Sequence, residues 1–152
     1  MEKEGVNMTI KDFMTHKHRE CDHFLAEAEG AVEQGDFDTA LEKYLAFKNE
    51  TLLHFSMEED FLFPTFEEKT GMTQGPTQVM RMEHSQAKSL FEKMDEAYNA
   101  KDTDRIYGLG ESMNILLQQH NTKEEQMLYT MMNNTLANEQ DQIVEKLQNY
   151  AN

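Results

Sequence analysis

His54-Phe55-Ser56-Met57-Glu58-Glu59-Asp60-Phe61-Leu62-Phe63-Pro64 is the stretch whose reading decides the fold. A second stretch, His120-Asn121-Thr122-Lys123-Glu124-Glu125-Gln126-Met127-Leu128-Tyr129, repeats its pattern. In each, a histidine is followed four residues later by a glutamate, then by a second glutamate and an apolar-aromatic pair. On a helix, positions i and i+4 share a face one turn apart, so one imidazole and one carboxylate point to the same spot. The two copies stand 66 residues apart (120 − 54). His18 and His84 are also 66 apart (84 − 18), and each precedes its HxxxE by 36 residues (54 − 18 and 120 − 84). The spacing describes two similar halves that together surround a pair of metal ions.

Composition agrees with a helical reading. The 152 residues suit one domain and can bury about two-thirds of the unfolded surface. Glycine (7) and proline (2) are scarce and helix formers are plentiful, so the expected class is all-α. No apolar run is long enough for a membrane span. Met1-Glu2-Lys3-Glu4-Gly5 lacks the apolar region of a signal peptide. A single cysteine, Cys21, cannot form an internal disulfide, which fits a reducing cytoplasm. The net charge of −15 argues against nucleic acid and against anionic lipid as partners. Solubility is its plain explanation, and acidic groups near a metal site would also attract cations.

Hydrophobic periodicity places the elements. Residues 1–9 form a polar leader. A first helix is expected from about Thr9 to Gln34, ended by Gly35-Asp36, with Asp36 able to cap the next. The second runs from about Phe37 to Glu68, with Leu45 among its apolar residues and Pro64 kinking it or closing its regular part. Gly71 to Pro76 is the longest loop and the junction of the halves. A third helix, from about Pro76 to Ala100, carries Val79, Met80, Leu90, Phe91, Met94 and Tyr98 as its apolar face. The fourth runs from about Thr103 until Asn133-Asn134 breaks it. A last short helix spans about Leu136 to Asn149. Short connections make sequential helices antiparallel neighbours, so the expected form is an up-down-up-down four-helix bundle over 10–133. Residues 134–152 then supply a short C-terminal helix on or beside it.

Each long helix contributes one histidine: His18, His54, His84 and His120. The second and fourth add Glu58 and Glu124. A glutamate aimed into a bundle interior is costly unless paired or bound to a cation. Imidazole suits iron, zinc and copper, and carboxylates can bridge two ions. Four imidazoles and two bridging carboxylates give each ion two nitrogens and two oxygens. An oxo or hydroxo bridge would be a fifth donor, leaving about one open position on each octahedral ion for a small molecule.

At these residues the chain resembles the hemerythrin-like, or HHE cation-binding, family. The matching stretches are Met14 to Asp22, His54 to Pro64, Pro76 to His84 and His120 to Tyr129, and the likeness covers nearly all of residues 10–133. It implies a four-helix bundle holding non-haem di-iron; zinc is the secondary reading, because imidazole and carboxylate accept zinc as well. The oxygen-carrying members look to a fifth histidine four residues before the one on the third helix, where this chain has Met80. They also use an aspartate five residues after the last histidine. Here Glu124 stands at +4 and Glu125 at +5, and the helix geometry favours Glu124. The four-His, two-Glu set resembles more closely the di-iron proteins of iron-sulfur cluster repair, which carry a further cysteine-containing N-terminal domain. Simple reversible oxygen carriage is disfavoured.

Other residues have plainer readings. His16 points about 160° from His18 and is expected at the surface. His23 with Glu20 lacks the second ExxH of a ferritin-like site. Glu59 and Glu125 are expected as solvated groups or supports of the ligands. Cys21 and the twelve methionines are expected to fill core. Tyr44 and Tyr129 pack in the core by default, with a hydrogen bond near the metals as the sharper role for both. Three functions fit: a binding protein for O2, NO or a similar ligand; an enzyme reducing peroxide or NO; and iron handling. The leading expectation is a cytoplasmic di-iron protein that binds or reduces small oxidants.

Overall fold

A computed structural model describes residues 8–150. Most of the polar leader, residues 1–7, and the last two residues lie outside the described part. Helix α1 spans Ile10–Glu33 and α2 spans Phe37–Met57. A π turn over Glu58–Leu62 continues α2 directly into α3, Phe63–Thr70. Helix α4 spans Pro76–Asn99 and α5 spans Thr103–Lys123. A second π turn, Glu124–Leu128, leads into α6, Tyr129–Thr135. A short 3-10 turn precedes α7, Gln140–Gln148.

The helix ends follow from the sequence. Thr9 accepts a hydrogen bond from the Asp12 N–H at 3.0 Å, and Asp12 accepts one from the Thr9 N–H at 3.2 Å, a reciprocal capping box. Asp36 accepts from the Thr39 N–H at 3.1 Å, and Asp102 from the Arg105 N–H at 3.3 Å. Gly71 ends α3 in the left-handed region (φ 77°), which costs glycine nothing. Pro76 opens α4 where its missing N–H would have had no helical partner.

Contacts between neighbours pair rising with falling residue numbers, so these neighbours run antiparallel. Glu27 meets Lys43 at 3.5 Å while His18 meets His54 at 3.1 Å. Tyr44 donates to Asp95 at 2.6 Å while Glu59 meets His84 at 2.7 Å. Glu96 meets Arg105 at 3.7 Å while Glu83 meets His120 at 2.8 Å. Gln118 donates to Asp22 at 3.2 Å while Glu124 meets His18 at 3.0 Å, closing the ring from α5 back to α1.

The interior is two apolar layers with a polar one between. Tyr44, Phe47, Phe91, Met94, Ile106 and Met113 centre one layer. Met14, Leu62, Phe63, Phe66, Leu128 and Met132 centre the other. Ile143, Val144 and Leu147 of α7 close the second layer, and the Ile10 N–H donates to Gln140 at 2.7 Å. On every long helix the histidine falls between residues of the two layers.

The chain departs from the sequence expectation in several places; Met72, Met82 and Met127, for instance, are exposed rather than core. Asn133-Asn134 do not break the last long helix, which reaches Thr135. Val79 and Leu45 are each 41% exposed rather than core. The irregularity in the second helix begins at Glu58, well before Pro64. There the Phe63 N–H reaches back five residues to the Glu58 carbonyl, and the Tyr129 N–H does the same to Glu124. Thr130 stands where the first half has Pro64 (64 + 66), yet the same π turn forms, so proline is not its cause. Single π turns of this kind are frequent at functional sites.

Phe47 is fully buried in the layer remote from Met14. Phe47→Ala is expected to lower the unfolding free energy by about 3–5 kcal/mol in a urea titration. A loss under about 1 kcal/mol would contradict its central packing.

Candidate metal centre

The six predicted residues converge. His18, His54, Glu58, His84, His120 and Glu124 are all buried, with the two glutamates fully so. Their donor atoms form two clusters, one of Glu58, His84, His120 and Glu124 and one of His18, His54 and Glu124. Within each cluster one donor atom per residue lies within 4.8 Å of the others.

Each carboxylate spans both halves. Glu58 presents Oε1 to His84 Nε2 at 3.0 Å and Oε2 to His54 Nε2 at 3.4 Å. Glu124 presents Oε1 to His18 Nε2 at 3.0 Å and Oε2 to His120 Nε2 at 3.2 Å. The α-helical spacing brings each histidine to its own glutamate. The next residue in each π turn, Glu59 or Glu125, is partly exposed and has another task.

That task is to hold the far edges of the imidazoles. Glu125 Oε2 lies 2.7 Å from His18 Nδ1, and Glu59 Oε2 lies 2.7 Å from His84 Nδ1. These contacts are mates under the 66-residue offset. Glu83 Oε1 takes the Nδ1 of His120 at 2.8 Å. Arg19 anchors Glu125 through two contacts of 3.2 Å, and Lys123 pairs with Glu83. A histidine whose Nδ1–H is fixed to a carboxylate turns its Nε2 lone pair inward, which is the usual support of a metal-ligating imidazole.

The charges are consistent with that picture. Burial opposes ionisation of Glu124, but His120, His18 and His54 outweigh it and hold its carboxyl well below the ordinary range. Burial likewise opposes protonation of His54, but Glu58 and Glu124 outweigh it and push its pKa up to about 10. His120 is pushed up to about 9 by Glu124, Glu58 and Glu83 against the same burial. A positive charge is thus strongly favoured at this point, whether carried by protons or by a cation.

A cation fits these residues better than protons do. Glu58 Oε1, His84 Nε2, His120 Nε2 and Glu124 Oε2 are buried and make no hydrogen bond of proper geometry, although His84 Nε2 is only 3.0 Å from Glu58 Oε1. Buried polar atoms left without a partner are expensive. Nitrogen and oxygen donors of this kind, aimed together and unpaired, suit iron, zinc or a similar divalent ion.

Tyr129 lies at the centre, as its sharper reading required. Its hydroxyl contacts Glu58 and lies 2.7 Å from Glu124 Oε1 and 3.2 Å from His54 Nε2. Burial, with the two carboxylates, raises its pKa well above the ordinary phenol value, so it stays a donor. Tyr44 is elsewhere: it stacks on Tyr98 with ring centroids 4.3 Å apart and binds Asp95. His16 and His23 are 69% and 71% exposed and pair with Glu20 and Glu27 at i+4. The HxxxE spacing therefore does not make a site without burial. Glu83 was not foreseen; its one sequence signal is that it directly precedes His84.

Fold and site define a helical bundle with a buried His/Glu cation site. The hemerythrin HHE cation-binding domain matches residues 9–132, and the chain belongs to that family. It is accordingly a cation-binding protein. No curated protein and no solved structure matches it. No helix among the described residues is long and apolar enough to cross a membrane.

Cys21 is buried beside this site, and burial, countered in part by the Thr51 hydroxyl, pushes its thiol up to about 11. The reactive thiolate is therefore scarce at neutral pH. Cys21 is expected to resist alkylation in the native protein at pH 8 and to react after denaturation. Fast labelling of the native chain would contradict its burial.

Proposed function

We propose that the chain is a non-haem di-iron protein that binds or reduces small oxidants such as O2, NO or peroxide. The observation that carries this reading is the way Glu58 and Glu124 each span both pairs of histidines. One carboxylate oxygen faces each pair, which is the pattern of two bridged ions rather than of one. His18 and His54 would hold one ion and His84 and His120 the other, with both glutamates shared. Iron bound there supplies electrons and free coordination positions for a small oxidant.

The surrounding residues suit that chemistry. The apolar layers above and below the cluster keep bulk water out and strengthen every charge interaction inside. Glu59, Glu83 and Glu125 fix the imidazoles, so that little reorganisation is needed when a ligand arrives. The Tyr129 hydroxyl, which stays protonated beside both carboxylates, would offer a hydrogen-bond donor at the cluster. The charge of −15 and the single cysteine support a cytoplasmic setting without nucleic acid or membrane as partner. A second reading, iron donation or storage, is favoured by one observation: His54 lacks the outer carboxylate that the other three histidines have.

Iron-loaded protein is expected to contain about two iron per chain and to show an oxo-to-iron absorption band in the near ultraviolet. His54→Ala and Glu124→Ala should each bind iron at least about 100-fold more weakly, more than the loss of an outer support costs. The reduced protein is then mixed anaerobically with O2, NO and peroxide. A stable adduct or catalytic consumption supports oxidant chemistry, and loss of iron without either supports iron handling. No more than one metal in the loaded protein contradicts the binuclear reading.

A further inference from the structure

The two halves match residue for residue at the cluster but not behind it. Under the 66-residue offset, Glu59 on His84 and Glu125 on His18 are equivalent. Glu83 on His120 has its equivalent at position 17 (83 − 66), where the chain carries Lys17. An ammonium cannot accept the His54 Nδ1–H. In agreement, His54 Nδ1 is buried and unpartnered. The supports are therefore divided two to one: both imidazoles of the His84/His120 pair are fixed by carboxylates, but only one of the His18/His54 pair.

Three further observations fall on the same side. The His84/His120 cluster gathers four donors within 4.8 Å, including both glutamates, whereas the His18/His54 cluster gathers three. Phe55 stacks on His84 with centroids 3.8 Å apart, whereas its equivalent Asn121 (55 + 66) is not aromatic; Phe63 on His84 at 5.9 Å is matched by Tyr129 on His18 at 5.8 Å. Beside His18 and His54 instead lies a cavity of about 20 Å³, also lined by Cys21, Thr51, Leu117 and Asn121. That is room for about one water molecule. The Thr51 hydroxyl, buried on its wall, makes no well-formed hydrogen bond.

We propose that the two ion positions are inequivalent, and that the ion at His18/His54 is the weakly held, exchangeable one because Lys17 stands where the other half has Glu83. This rests on the binuclear reading above. Loss of an outer partner of a ligating histidine typically costs about 10–100-fold in affinity. The other position keeps its ion because each of its imidazoles is locked in tautomer and direction. Exchange at one position with retention at the other would let the chain give up one iron while His84, His120 and both glutamates still hold the second.

The test is release of Fe(II) to a chromogenic chelator under anaerobic conditions, followed in time. The loaded chain is expected to release iron in two phases of one iron each, with rates at least about 10-fold apart. Lys17→Glu, which offers His54 a carboxylate, should slow the first phase by about 10-fold. Lys17→Gln, which offers no carboxylate, should not slow it. Glu83→Gln should speed the second phase toward the first, and it decides the matter alone if Lys17→Glu does not fold. One phase releasing both irons, or two phases that Lys17→Glu and Glu83→Gln leave unchanged, overturns the inequivalence and leaves the binuclear reading standing. A slowing of the second phase by Lys17→Glu overturns the assignment to His54. One iron or fewer in the loaded chain overturns both readings.

Discussion

Two carboxylates, Glu58 and Glu124, are buried completely between apolar layers and are surrounded by four imidazoles. An ionised carboxylate moved from water to such a place costs several kcal/mol unless positive charge meets it. Without a cation that charge falls to protons on the imidazoles, as the raised pKa values of His54 and His120 reflect. The rest of the structure is arranged around that demand. The helices set one histidine each at one level, the π turns set the glutamates between them, and the two hydrophobic layers exclude the water that would otherwise relieve the cost. Removing one partner of such a cluster leaves an uncompensated buried group, so the polar layer is cooperative in a way that surface ion pairs are not.

The outer carboxylates extend the same logic one step outward. Glu59, Glu83 and Glu125 are partly exposed and so keep some hydration, yet each touches a buried imidazole. They transmit orientation from the surface to the centre. Their uneven distribution gives an otherwise two-fold arrangement a direction. Tyr129, whose equivalent is Phe63, adds to that direction by placing one hydroxyl against both bridging carboxylates. The two donor clusters of two similar halves thereby have different surroundings.

Much of this was legible in the sequence. The six cluster residues follow from helical periodicity and the 66-residue offset, because both are one-dimensional consequences of a three-dimensional two-fold. Helix starts were legible where a capping side chain exists, as at Asp36. The π turns were not, since Pro64 offered a local explanation for one of them and nothing marked the other. Glu83 was missed because its partner lies on a different helix, 37 residues on, and no spacing within one helix reveals that contact. Tyr44 and Tyr129 could not be separated, as both sit on apolar stripes and only packing decides which hydroxyl reaches the cluster. Asn133-Asn134 are weak helix formers, but the packing of α6 against α1 outweighs that preference. Val79 and Leu45 fit the periodicity yet face outward, a reminder that an apolar residue need not be core.

If a cation is what makes the polar layer tolerable, the stability of the fold and its metal content are one quantity seen twice. The direct measurement is the melting temperature of the metal-free chain as Fe(II) is titrated in anaerobically. A saturable rise is predicted, corresponding to about 2.7 kcal/mol of added stability at a hundredfold excess over Kd. A melting temperature that is the same with and without the metal would contradict the account.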